Sequence, residues 1–193
     1  GSSLDLGTGL THDVQGIVTV AGGATAGTLD INGSTLRLSV NRATLTTTLD
    51  VQGGAVPGKL LMGSGSRLEA ANNNRILIAG DINIPTAATK PVITTTDTVT
   101  PARYAIDLQG GITIQNLQIS YYNVDGLNLS GTINLANITM NNVEFRNSTT
   151  DGTHITFGSG TSGAQTFTNC KFDFSSFNQP QGSVAKAIPN ISA

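Results

Sequence analysis

The chain has 193 residues and a mass of 19.8 kDa, enough for one domain with a sizeable core. Apolar residues make up 38% and charged residues only 11%; the net charge of −2 and pI near 5.5 argue against a nucleic-acid surface or a basic membrane-binding face. One cysteine excludes a disulfide framework within a single copy, and no apolar run approaches the ~20 residues of a membrane span.

In chain order, Gly1-Ser2-Ser3 reads as the remnant of a cleaved expression tag, so the absence of a leader or lipidation motif carries no information about location. Thr28-Leu-Asp-Ile31 then recurs as Thr48-Leu-Asp-Val51, a shift of about 20 residues in the range of stacked units. Leu36-Arg-Leu38, Leu60-Leu-Met62, Ile76-Leu-Ile78 and Ile82-Asn-Ile84 are short strand-like pieces, mostly set apart by Gly, Asn or Ser. The best helical candidate, Arg67-Leu-Glu-Ala-Ala71, runs directly into Asn72-Asn73-Asn74. Residues 85–103 carry Pro85, Pro91 and Pro101, which predicts a loop excursion between two halves of the stack or a hairpin over one face.

Downstream the repetition becomes gapless. Ile112–Ser120, Ile138–Arg146 and Gln165–Asp173 align at shifts of about 26 and then about 27 residues, with the alternation of strands and not of helices. The alignment gives columns Ile114/Met140/Phe167, Asn116/Asn142/Asn169, Leu117/Val143/Cys170 and Ile119/Phe145/Phe172. It also sets Thr113, Thr139 and Thr166 side by side, Glu144 beside Lys171, and Arg146 beside Asp173, the favourable order for neighbouring strands. Asn tolerates the left-handed backbone of a sharp corner, and its amide can bond to the Asn of the next coil. The segment 179–193, with Gln179-Pro-Gln-Gly-Ser183, reads as a tail or linker.

Coils of this length with short strands and polar corners describe a solenoid of parallel strands. Over residues 104–177, and above all in Ile112-Thr-Ile-Gln-Asn116, Ile138-Thr-Met-Asn-Asn142 and Val124-Asp-Gly-Leu-Asn-Leu-Ser-Gly131, the chain resembles the right-handed parallel β-helix superfamily. This group includes pectate lyases, polygalacturonases, phage tailspikes and bacterial surface proteins. The expected fold is all-β, a right-handed single-stranded parallel β-helix of about seven or eight coils over residues 4–178. An open solenoid end exposes strand edges, so further domains of a longer parent chain are expected partners.

Asp125-Gly126 and Asp151-Gly152 fall at the same offset after Asn116 and Asn142. Asp-Gly is a preferred turn dipeptide, and a coil turn is the first reading. The second is a pair of carboxylates about one strand spacing apart, suited to glycoside hydrolysis or to Ca²⁺. Asn123-Val-Asp125-Gly126 resembles the Asn-Thr-Asp-Gly motif of polygalacturonases, in which the Asp belongs to the catalytic set. Their Asp-Asp, Gly-His-Gly and Arg-x-Lys motifs have no counterpart here. Tyr121-Tyr122 ends a strand, so at least one ring should face solvent and offer a stacking surface to a sugar. His12 and His154 lack ligand spacing and read as solvated loop histidines, and Cys170 as a small apolar side chain.

These observations predict a non-catalytic extracellular or cell-surface module, a stalk, adhesin or passenger-type domain, whose elongated faces meet glycan or a surface protein. Tyr121, Tyr122, Asp125 and Asp151 are the candidate contacts. The alternative is a polysaccharide lyase or hydrolase acting on acidic polysaccharide through Asp125 and Asp151. No cofactor is expected beyond Ca²⁺ at that acidic pair.

Overall fold

A computed structural model of the chain describes residues 1–98, 102–131, 133, 138–147, 153–158, 160–163, 167–173 and, for the backbone, 183–187. Three parallel sheets wind around one axis. The first stacks β1 (Ser3–Asp5), β4 (Thr28–Asp30), β7 (Lys59–Leu61), β10 (Asp81–Ile84), β13 (Ile112–Ile114), β16 (Ile138–Asn141) and β19 (Phe167–Thr168). The second stacks β2 (Thr11–Val14), β5 (Thr35–Leu38), β8 (Arg67–Ala70), β11 (Val92–Thr95), β14 (Leu117–Ser120), β17 (Val143–Arg146) and β20 (Lys171–Phe172). The third stacks β3 (Val18–Val20), β6 (Thr46–Val51), β9 (Asn74–Ile78), β12 (Tyr104–Leu108), β15 (Tyr122–Leu129), β18 (Thr153–Phe157) and β21 (Ser183–Ala187). The result is a parallel β-solenoid of about six turns, with no helix among the described residues.

Alternation along each strand sends every second side chain inward, and the parallel register piles like on like. One column runs Leu29, Leu60, Ile82, Ile112, Ile138, and another Leu49, Ile76, Ile106, Leu127, Ile155. All ten of these side chains are at most 6% exposed. Burying such a column removes apolar surface from water on every coil, which is what drives the winding. The predicted columns hold: Ile114, Met140 and Phe167 are in register, as are Ile119, Phe145 and Phe172. Phe145 and Phe172 stack at 5.1 Å between centroids and 5° between planes.

Four expectations need correction. The turns number about six, slightly fewer than the seven or eight expected. Thr28–Ile31 and Thr48–Val51 are not vertical neighbours: β4 pairs with β1 and β7, while β6 pairs with β3 and β9, so the echo joins two sides of one coil. Residues 85–103 are not wholly an excursion. Val92–Thr95 forms β11, bonded to β8 and β14, and Pro91 stands just before it, where its fixed φ is harmless and its carbonyl accepts from Gln118 N at 2.9 Å. Within the expected tail 179–193, Ser183–Ala187 forms β21 and pairs with β18.

The asparagine corner works as expected over part of its length. Asn142 and Asn169 sit at φ of 55° and 54°, and Asn142 Nδ2 donates to Asn116 Oδ1 at 2.7 Å. Asn169 instead reaches Asn141 Oδ1 at 3.4 Å. Asn142→Ala is expected to cost about 1–2 kcal/mol through left-handed strain and the lost amide bond, and Asn142→Gly less. A shift of the urea midpoint at constant slope checks this; equal effects of the two variants would mean that backbone conformation is not the cause.

Charges on the second sheet also follow the register. Glu144 lies opposite Lys171, with Lys171 Nζ at 3.6 Å, Lys90 Nζ at 2.9 Å and Arg146 Nη2 at 2.5 Å. Burial pushes the Glu144 carboxyl up, but the bonds from Lys90 and Arg146 outweigh it and hold the pKa at about 2. Arg146 thus serves Glu144 on its own strand.

Candidate functional site

The site begins with an irregularity in β15. Tyr122 lies opposite Tyr104, but the next pair is Leu127 with Ile106, so the four residues Asn123–Gly126 span the place of Ala105 alone and bulge out of the third sheet. Gly126 permits this at φ 66°; a Cβ there would stand 2.3 Å from the carbonyl oxygens of both Thr153 and His154. The bulge is pinned twice more. Thr156 Oγ1 donates to Asp125 O at 2.7 Å, and Asp125 N donates to Asn123 Oδ1 at 3.3 Å. Asp125-Gly126 is therefore not a coil corner: it sits inside a strand and leaves the Asp125 carboxylate exposed on the outer face.

Beside the bulge lies a groove of about 260 Å³, lined by Leu45, Arg75, Asp107, Asn123, Asp125 and Asn128 among others. Arg75, Asp107 and Asn128 arrive there because inward Ile76, Ile106 and Leu127 force their strand neighbours outward. Asp107 is only 5% exposed. One of its oxygens accepts from Arg75 Nε and the other from Asn128 Nδ2, the latter at 2.5 Å. The bond to Asp107 uses Arg75 Nε and leaves the two terminal amino groups of the guanidinium for other partners. Leu45, 53% exposed, supplies an apolar wall.

The other sequence candidates lie elsewhere. Asp151 is outside the described residues. Tyr122 is fully buried in the core, with its hydroxyl on His154 Nδ1 and its ring edge-on to Phe145 at 6.5 Å, so it offers no face to a ligand. Tyr121 is the half-buried member of the pair, held at φ 61° in the corner between β14 and β15. Arg103 stands over its ring at 5.9 Å and donates to Tyr122 O at 3.3 Å and Asn147 O at 2.6 Å. Burial lowers the Arg103 pKa, against the opposing pull of the neighbouring tyrosines.

His154 is not a solvated loop residue: it is 0% exposed in β18, packed against Tyr122, Phe145 and Phe172. Burial pushes its pKa down to about 4, opposed by Asp173. His12 lies in β2, half-buried, opposite Leu36 and bonded through Nε2 to Leu6 O at 2.9 Å. Cys170 is half-buried against the core, and burial raises its pKa. Among the described residues, no three His, Cys, Asp or Glu side chains come together as a metal site. On the first sheet, exposed Asn83, Thr113 and Thr139 form a polar row beside a second depression of about 500 Å³ that includes Lys59 and Asp81.

Compared with protein-family models, with curated proteins and with solved structures, the chain matches none. The sequence reading missed Leu45, Arg75, Asp107 and Asn128. Aligning Ile76-Leu-Ile78, Ile106-Asp-Leu108 and Leu127-Asn-Leu129, as the gapless coils were aligned, would have set Leu77, Asp107 and Asn128 in one outward column.

Proposed function

We propose that the chain is a non-catalytic recognition module of the right-handed parallel β-helix superfamily, extracellular or displayed at a cell surface as a stalk, adhesin or passenger-type domain within a longer parent chain. Its elongated outer faces meet glycan or a surface protein. The observation that carries this reading is the state of Asp107. Its carboxylate is taken up by Arg75 and Asn128, so among the described residues the groove presents Asp125 as its one exposed carboxylate, together with amides, a guanidinium and Leu45. General acid and base chemistry on a glycosidic bond asks for two carboxyl groups available to the substrate, whereas recognition asks for a fixed set of donors and acceptors. The polar row on the first sheet adds a long shallow face of the kind that suits wide, weak contacts.

The rival reading, a lyase or hydrolase on acidic polysaccharide through Asp125 and Asp151, draws on the exposed Asp125 beside Arg75. Incubation with polygalacturonate and related acidic polysaccharides separates the two. No unsaturated uronides and no new reducing ends are the expected result. Turnover that disappears in Asp125→Asn would establish the enzyme instead, and a protein that binds neither glycan nor any cell surface would end the recognition reading.

A further inference from the structure

Resting on the glycan-contact reading above, we infer that the groove beside the β15 bulge takes a neutral sugar residue and discriminates against acidic ones. The first argument is charge. Two carboxylates, Asp107 and Asp125, and one guanidinium, Arg75, line the groove. Arg75 and Asp107 neutralise each other in a direct ion pair, so the uncompensated charge is that of Asp125. The same outer column carries Asp50, opposite Leu77, which itself lies opposite Asp107, and further along it Lys186, opposite Thr156, so the charge the groove itself presents is that of Asp125. A uronate or sulfate brought to this face would meet net negative charge in a partly desolvated cleft, where like charges repel more strongly than in bulk water.

The second argument is the hydrogen-bond inventory. Asn128 donates to Asp107 and keeps its carbonyl oxygen as an acceptor. Asn123 accepts from Asp125 N and keeps its two amide protons. Arg75 retains terminal donors, and Asp125 is exposed. The cleft thus offers both donors and acceptors, which suits hydroxyls, each of which both gives and takes a bond. Leu45 provides an apolar surface for the C–H face of a ring, and about 260 Å³ suits one residue of a chain better than a longer stretch. Because the bulge is tied to β18 by the Thr156 bond and by the close approach of Gly126, these groups are preorganised.

Titration calorimetry with cellohexaose, mannohexaose and xylohexaose, against hexagalacturonate as the acidic probe, tests this. At least one neutral oligosaccharide is expected to bind with an affinity insensitive to salt, and hexagalacturonate about tenfold or more weakly. Leu45→Ala and Asp125→Ala, both on the surface, should each weaken the neutral ligand about tenfold while leaving the circular dichroism unchanged. Neutral binding untouched by both variants would overturn the assignment of the groove. Tighter, salt-sensitive binding of hexagalacturonate, lost in Arg75→Gln, would overturn the neutral specificity while leaving glycan contact standing. No binding of any oligosaccharide would remove both this inference and the reading it rests on.

Discussion

Gly126→Ala is expected to lower the stability of the protein by about 3 kcal/mol or more, and to abolish ligand binding in the adjacent groove. Two costs combine. At φ 66° an L-residue pays for a left-handed backbone, and the new methyl would stand 2.3 Å from the carbonyl oxygens of Thr153 and His154. Those oxygens belong to a strand held in the sheet, so β15 must move off β18. Moving it breaks the Thr156 bond to Asp125 O and turns the Asp125 carboxylate away from Arg75 and Asn128. Gly131→Ala is the matched control: its φ is 79°, but the nearest atom to a Cβ is the Gln109 side chain at 3.6 Å, so only the conformational cost of about 1–2 kcal/mol applies. Urea unfolding of the two variants at constant slope reads the difference. Equal losses would show that β15 does not press on β18 at Gly126, and the groove geometry would fall with it.

That dependence on one glycine explains why the site was harder to read than the fold. In coils of regular length, such as Ile112–Ser120 and Ile138–Arg146, a gapless alignment is the register itself, and Glu144 falls opposite Lys171 because nothing intervenes. Higher in the stack the corners differ in length, and similarity of composition then misleads: Thr28-Leu-Asp-Ile31 resembles Thr48-Leu-Asp-Val51 because both are inward-outward strands of the same coil. A bulge defeats alignment in another way. Asp125-Gly126 has the composition of a turn, and only the jump from the Tyr104–Tyr122 pair to the Ile106–Leu127 pair reveals that it lies within a strand. The tyrosine pair shows the same limit. Strand alternation says that adjacent residues point opposite ways, but the left-handed corner at Tyr121 decides that Tyr122 enters the core and meets His154.

The burial of His154 has its own consequence for acid stability. Its pKa is about 4 in the folded protein against 6.5 for an ordinary histidine, because the imidazole is enclosed with Tyr122, Phe145 and Phe172, while Asp173 acts in the opposite sense. Between those two values the unfolded chain binds a proton that the folded chain refuses, so stability rises with pH across this interval. The contribution is complete above about pH 6.5, declines as the pH falls, and is exhausted near pH 4, amounting to up to about 3 kcal/mol. Glu144 then takes over with the direction usual for a carboxylate: held at about 2 against an ordinary 4.5, it stabilises the fold above its unfolded value and loses that effect as the pH drops toward 2. Urea midpoints are therefore expected to fall steadily from about pH 7 to about pH 4, and the descent over that range should flatten in His154→Gln, which does not titrate and can still accept the Tyr122 hydroxyl. A wild-type midpoint that stays level over this range would mean that His154 remains hydrated and protonatable in the fold. A descent equally steep in the variant would transfer the proton uptake to another group. If only the first part of the slope vanishes in His154→Gln and a decline below about pH 4.5 persists, the residue that carries the remainder is Glu144, and Lys90→Met should then remove part of it by taking away the cation that faces that carboxylate at 2.9 Å.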